Sequence, residues 1–209
     1  MKVIVIGRNY TSRLGMIRAL GQCGYDVYVV RTLPQKAVSR FGNKDVDGYS
    51  KYVKGYFVAI EPNRENLISV IKSIRNINSS EKDILIPVDD FSASTIDEYN
   101  KQLKNDFYFP HISMQQGAIT QFMDKSLQKK YASELGLNVA KGCIIKPCNG
   151  SYDIPKDLTF PCFPKPLISF KGNKQCMKKC NNEKELREAM DKVLMFQKDC
   201  PFEIEEFIS

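Results

Sequence analysis

Apolar and polar positions change period several times along the chain, and each change marks an element. Val3 to Ile6, Val27 to Val30 and Ile84 to Val88 are unbroken apolar runs. Such runs suit strands of a parallel sheet covered on both faces, which have no solvent side for polar residues. Between them the period lengthens to that of a helix. Leu14, Ile17 and Leu20 share one face, Thr11 or Ser12 is available as N-cap, and Gly24 stands where a helix would end. From about Asn63 to Ile77, Leu67, Val70, Ile71 and Ile74 repeat at helical spacing, and the Asn- and Ser-rich residues 76 to 80 close the segment. This alternation predicts a doubly wound parallel sheet at the start of the chain.

A second pattern follows, with a domain boundary placed between residues 115 and 116 inside a connection running from 108 to 123. Met123-Asp124-Lys125-Ser126 opens a helix with Asp124 as N-cap, Leu127, Tyr131 and Leu135 as its buried stripe, and Gly136 as its end; a strand from Val139 to Ile145 comes next. Phe160 to Pro166 reads as an apolar strand ending in Lys-Pro, where Pro166 keeps Lys165 extended. Asn182 to Phe196 is a helix: Asn182 and Glu185 resemble a capping box, and Leu186, Ala189, Met190, Val193 and Leu194 make one face. Phe202 to Ile208 alternates apolar and acidic positions as a strand does.

Composition narrows the classes. With 209 residues and 43% hydrophobic content the chain can bury a sizeable core. No apolar stretch approaches the roughly 18 residues that span a bilayer, and the run before Gly7 is a strand and not a signal peptide. The seven cysteines include no CxxC pair and share the chain with one histidine, His111, so they read as reduced cytoplasmic thiols. Cys176 and Cys180 would need two further ligands to hold zinc, and no residue is assigned to a metal. The net charge of +7 is spread among 24 acidic residues, which reads as solvated charge and not as a nucleic-acid surface. One dense basic cluster, Lys171 to Lys179 around Gly172, could face a polyanion such as a triphosphate.

Two places carry candidate chemistry in the first half. The loop Gly7-Arg8-Asn9-Tyr10-Thr11-Ser12 falls at the carboxyl end of a strand beside a helix N-terminus, where such sheets bind ligands. A glycine that merely permits the turn is the alternative. GxGxxG is absent, and Asp26 precedes the second strand instead of ending it, so the loop is not a dinucleotide fingerprint. Asp89 and Asp90 end the third apolar run and either cap the next helix or bind an amino group of a substrate. Gly7, Asn9, Asp89 and Asp90 are therefore the substrate-side candidates. In the second half, Lys125 sits in a first helical turn, where a cation opposes the helix dipole unless it meets a phosphate. Lys165 is either a surface lysine of an edge strand or a point charge aimed into a cleft.

Three segments in this order, MDKS, FPCFPKP and FEIEEFIS, resemble the nucleotide-binding first half of ATP-grasp ligases. VIVIG, LGMIRALGQCGYDVYVV and AVSRFG resemble the domain that precedes it in a carbamoyl-phosphate-synthase-like branch. The resemblance implies a Rossmann-like pre-ATP-grasp domain over residues 1–115 and the first, smaller lobe of an ATP-grasp domain over 116–209. It implies an ATP-dependent carboxylate-amine or carboxylate-thiol ligase acting through an acylphosphate. Lys125 would contact the nucleotide phosphates and Lys165 the α-phosphate. Lys171, Gly172 and Lys174 would lie in the loop that closes over the β- and γ-phosphates, although that loop is poorer in glycine than the family's. In Glu205-Glu206-Phe207-Ile208, the Glu205 side chain and the Glu206 carbonyl would accept from the adenine amino group and the Ile208 amide would donate to the ring. A one-residue slip would exchange the two glutamates. ATP and Mg2+ are the implied cofactors, with metal ligands expected beyond Ser209, so the chain reads as the first part of a longer enzyme and not competent alone. The implied partners are a small-molecule carboxylate and amine, with no nucleic acid and no membrane; a homodimer is compatible with the sequence. Two other readings stay open, a non-catalytic nucleotide-binding or interaction module and, more distantly, an NAD(P)-dependent Rossmann oxidoreductase.

Overall fold

A computed structural model describes residues 1–37, 44–75, 80–167 and 177–208. The chain divides into two compact units, Met1–Thr120 and Gln121–Ser209.

The first unit is a five-stranded parallel sheet in the order β3-β2-β1-β4-β5, built from β1 (Lys2–Gly7), β2 (Asp26–Pro34), β3 (Val53–Glu61), β4 (Asp83–Pro87) and β5 (Phe107–Tyr108). Alternate residues of β1 serve opposite faces. Val5 packs with Val27, Val29 and Ile17 of α1 (Tyr10–Gln22), whereas Ile4 and Ile6 pack with Leu67 and Ile71 of α2 (Arg64–Ile74) and Ile96 of α3 (Asp90–Glu98). Helices on both faces make the sheet doubly wound, and the strand order reverses between β1 and β4. Short helices α4 (Asn100–Leu103) and α5 (Ala118–Gln121) complete the helical elements up to the second unit.

Several local expectations are corrected. The N-cap of α1 is Asn9, whose Oδ1 accepts from the Thr11 amide at 3.0 Å, and not Thr11 or Ser12. The fully buried positions of α1 are Arg13 and Ile17, with Leu14 and Leu20 only half-buried. The strand β3 has no counterpart among the apolar runs: Lys54 and Gly55 interrupt its pattern, and as an edge strand paired only with β2 it keeps most side chains half-buried. Asn63 caps α2 through the Asn66 amide at 2.8 Å. The helix after Asp89 is interrupted at Tyr99, which separates α3 from α4.

The second unit is a three-stranded antiparallel sheet in the order β6-β8-β7, from β6 (Gly142–Ile145), β7 (Cys162–Pro166) and β8 (Phe202–Glu206). The helix α7 (Glu183–Leu194) covers one face, with Leu186, Ala189, Met190 and Val193 packed on Cys162, Phe202 and Ile204. Asn182 caps α7 by accepting from the Glu185 amide at 2.9 Å, while Glu185 reaches back to the Asn181 amide at 2.8 Å. Those contacts, the backbone amide first, hold the Glu185 carboxyl below its ordinary value. The described cysteines are all free; burial pushes the Cys162 thiol up to about 11, which marks it as packing and not chemistry.

The helix α6 (Lys125–Glu134) does not bury the stripe expected of it. Leu127 is half-buried, the Tyr131 ring is exposed 5.3 Å from that of Phe122, and Leu135 just past the helix is 79% exposed. The Lys125 amide donates to the Leu167 carbonyl at 3.4 Å, and this contact together with lysine–glutamate pairs turns the Lys125-Lys129 side toward the strands. Among the described residues no helix is long and apolar enough to cross a membrane.

Candidate functional site

At the carboxyl edge of the first sheet the loop after β1 is fixed from both sides. Asp89 caps α3 through Oδ1, which accepts from the Ser92 amide at 2.8 Å, and its Oδ2 accepts from the Arg8 amide at 2.6 Å. A Cβ on Gly7 would stand 2.7 Å from Val88 Cγ2 and 2.8 Å from that same Oδ2, so the glycine is required by close approach. From below, the fully buried Arg13 donates through Nη1 to the Gly7 carbonyl at 2.5 Å and grips both oxygens of buried Asp47 at 2.6 and 3.0 Å. Asn9 is spent on its cap, while Asp90 is exposed in the first turn of α3. Arg8 projects outward, with Nη1 3.9 Å from Glu61 Oε2. Burial pushes the Glu61 carboxyl up, against the pull of Arg8, and Asp89 adds to the rise.

The second unit brings charged groups together from three elements. Lys125 and Lys129 of α6, Lys165 of β7 and Glu205 of β8 line an open cleft of about 300 Å³, with Gln128, Ala132, Val139 and Ala140 as its remaining wall. A larger hollow of about 420 Å³ beside β3 carries two lysines and no acid in its lining, so it lacks this convergence of opposite charges. The register of β7 on β8 pairs Phe163 with Glu205 and Lys165 with Glu203. Alternation therefore sets Glu203 and Glu205 on the face of Lys165, and Phe202 and Ile204 on the core face. Glu206 lies on the core side of the alternation, where its Oε1 accepts from the Lys141 amide at 2.8 Å. Of the two adjacent glutamates, it is Glu205 that faces the cleft.

The charges there are coupled. Lys165 Nζ donates to Glu205 Oε2. Lys129 Nζ lies 3.2 Å from Glu203 Oε1 and 4.0 Å from Glu205 Oε1. Beyond β8 the Phe207 ring sits 6.4 Å from that of Phe163 under Lys179 Nζ, 4.8 Å away, and Ile208 is 73% exposed. On the other flank of β8, Gly142 pairs with Glu205, and a Cβ there would run into the Ile204 carbonyl oxygen. Only glycine lets β6 approach β8 so closely.

Solved structures share the fold of this chain. The L-amino acid ligase from Bacillus licheniformis superposes over 100% of this chain and 44% of its own at a TM-score of 0.65 and 15% identity. The N5-carboxyaminoimidazole ribonucleotide synthetase from Thermus thermophilus does so over 99% and 47%, at 0.58 and 14%. The chain has the fold of the amino-terminal part of the ATP-grasp ligases. The N5-carboxyaminoimidazole synthetase of Staphylococcus aureus, solved with ADP, matches over 100% and 47% at 0.54 and 15%. At these identities the likeness is one of fold, and the chain spans less than half the length of each of these three structures. No family model and no curated protein sequence matches it.

On this ATP-grasp fold the residues singled out from sequence do not all fall at one place. Lys125, Lys165 and Glu205 meet at one cleft, whereas Glu206 turns away and Gly7, Asn9, Asp89 and Asp90 belong to the edge of the first sheet. Lys171, Gly172 and Lys174 lie outside the described residues, as do Cys176 and most of AVSRFG. Lys129, Glu203 and Gly142 were not anticipated. The signal for Lys129 was present, since it stands four residues after Lys125 and so shares its helix face.

Proposed function

We propose that this chain forms the nucleotide-binding first part of an ATP-dependent carboxylate-amine or carboxylate-thiol ligase. The observation that carries the reading is the convergence of lysines from α6 and β7 with a strand-borne glutamate on one open cleft. Ammonium groups on flexible stems suit phosphate oxygens as point charges, and an ionised carboxylate suits the amino group of adenine. Lys125 and Lys165 take the phosphates, Glu205 takes the adenine amino group, and the backbone of Glu206 to Ile208 takes the ring edge, with Phe207 beside it. The segment holding Lys171, Gly172 and Lys174 is assigned to the β- and γ-phosphates.

In the reaction we propose, a substrate carboxylate oxygen attacks the γ-phosphorus of ATP and ADP leaves. The amine nitrogen or thiol sulfur then attacks the acyl carbon, and inorganic phosphate carries away the C–O bonding pair. A triphosphate used this way comes with magnesium, which would offset phosphate charge. Among the described residues no group of three His, Cys, Asp or Glu side chains could hold a metal ion, so none is given a part in handling it. The carboxyl edge of the first sheet, with Gly7, Asn9, Asp89 and Asp90, is the proposed substrate side.

Thermal melting with and without ATP tests the reading. ATP should raise the midpoint of the wild type, since a ligand that binds only the folded state stabilises it. Lys165→Ala should lose that rise. An undiminished rise would take Lys165 out of the site, and no rise in the wild type would sink the nucleotide reading. Binding with no ADP formed under any carboxylate and amine, in a protein carrying the rest of the fold, would favour a non-catalytic module.

A further inference from the structure

A second assignment on β8 rests on the adenine-binding role proposed above for Glu205. Two glutamates share two lysines on the cleft face of this strand, with Lys125 on the same wall. Glu203 is only 3% exposed, and its Oε2 has no hydrogen-bond partner among the described residues. A carboxylate that far out of water needs a cation beside it, and Lys129 supplies it at 3.2 Å.

The two lysines differ in their freedom to answer an incoming phosphate. Lys165 is 29% exposed and, among the described residues, pairs with a single carboxylate, Glu205. It can swing to a phosphate oxygen and leave Oε2 of Glu205 open. Lys129 is pinned between two carboxylates, and its departure would strand the buried one.

We propose that Lys129 is a positioning residue for base recognition. It stays on Glu203 and on Oε1 of Glu205 when Lys165 turns to the phosphate, and so presents the vacated Oε2 to the amino group of adenine. Phosphate binding and base recognition are thereby linked through one carboxylate, each of whose oxygens has its own lysine in the unliganded protein.

The test compares ADP with inosine diphosphate, which carries an exocyclic carbonyl oxygen in place of the amino group. Both are titrated calorimetrically into the 209-residue chain, as wild type, Lys129→Met and Glu203→Gln. In Lys129→Met, ADP affinity should fall by about tenfold while inosine diphosphate affinity changes by less than about twofold, so the preference for the amino base is lost. Glu203→Gln, which keeps the side-chain shape and removes the anchor, should shift the preference the same way by a smaller factor, and it carries the test if Lys129→Met does not melt cooperatively. Equal losses for the two ligands would make Lys129 a phosphate contact and overturn the proposal. So would an unchanged preference in both variants. Failure of the wild type to bind ADP would instead remove the nucleotide reading itself.

Discussion

Both units hold charged groups out of water, but they do so by different means. In the first unit, Arg13 and Asp47 are each fully buried, and the guanidinium spends its donors on both Asp47 oxygens and the Gly7 carbonyl. That planar fork fixes the end of β1 to a segment more than thirty residues on, and its full burial keeps it out of a ligand's reach. In the second unit, the cations are lysines lying partly open along a cleft, each meeting carboxylates through a single nitrogen. An ammonium on a four-carbon stem is easily redirected. The fork builds architecture, and the point charges keep a site ready to exchange partners.

The strongest way to break this contrast is Asp47→Ala, which leaves the buried Arg13 with Asp45 Oδ2, 3.7 Å away, as its remaining counterion and takes away both close contacts. It should cost about 3–5 kcal/mol of stability. The chain has no tryptophan, so urea unfolding followed by circular dichroism is the measurement. A loss below about 1 kcal/mol would show that water reaches Arg13 and that the fork is not architectural. Gly142→Ala comes next, because its Cβ would press on the Ile204 carbonyl and push β8, with both glutamates, out of line. A destabilisation of about 1–3 kcal/mol is expected, together with weaker ADP binding. Lys165→Ala should cost less than about 1 kcal/mol in the same unfolding assay, as partly exposed pairs do, even though the ATP-induced rise in melting temperature disappears. A large stability loss there would place Lys165 with the structural ions. The smallest effect belongs to Glu61→Gln. The Glu61 carboxyl is raised in the folded state by burial, so its ionised form opposes folding, and this penalty is absent below the unfolded value of about 4.3. The variant should be more stable at pH 7 by less than about 1 kcal/mol, with the gain vanishing toward pH 4. A variant equally stable or weaker at pH 7 would mean that the Arg8 contact outweighs burial.

The same contrast explains what could be read from the sequence. β1 and β4 were legible because strands covered on both faces must be apolar throughout, and α7 because its cap and stripe are both local. Arg13 was not, since its burial depends on Asp47, and periodicity sees hydrophobicity, not partners distant in the chain. β3 was hidden by Lys54 and Gly55 on an edge that tolerates both. Lys125, Lys165 and Glu205 were legible through short segments, and the structure brings them to one cleft. Their surroundings were not: Glu203 looks like any outward glutamate of an alternating strand, and Gly142 like an unremarked glycine within the strand expected from Val139 to Ile145, until the pairing of β6, β7 and β8 is known.

The central strand of the second unit also constrains how this segment can vary. Phe202 and Ile204 belong to the core while Glu203 and Glu205 belong to the cleft, so packing and recognition are written in alternating letters of a single word. Loss or gain of one residue anywhere in Phe202–Glu206 would exchange the two sets and sink carboxylates into the core, whereas a change of two would keep the frame. The strand is in this sense read in steps of two, and its length is inherited with its chemistry.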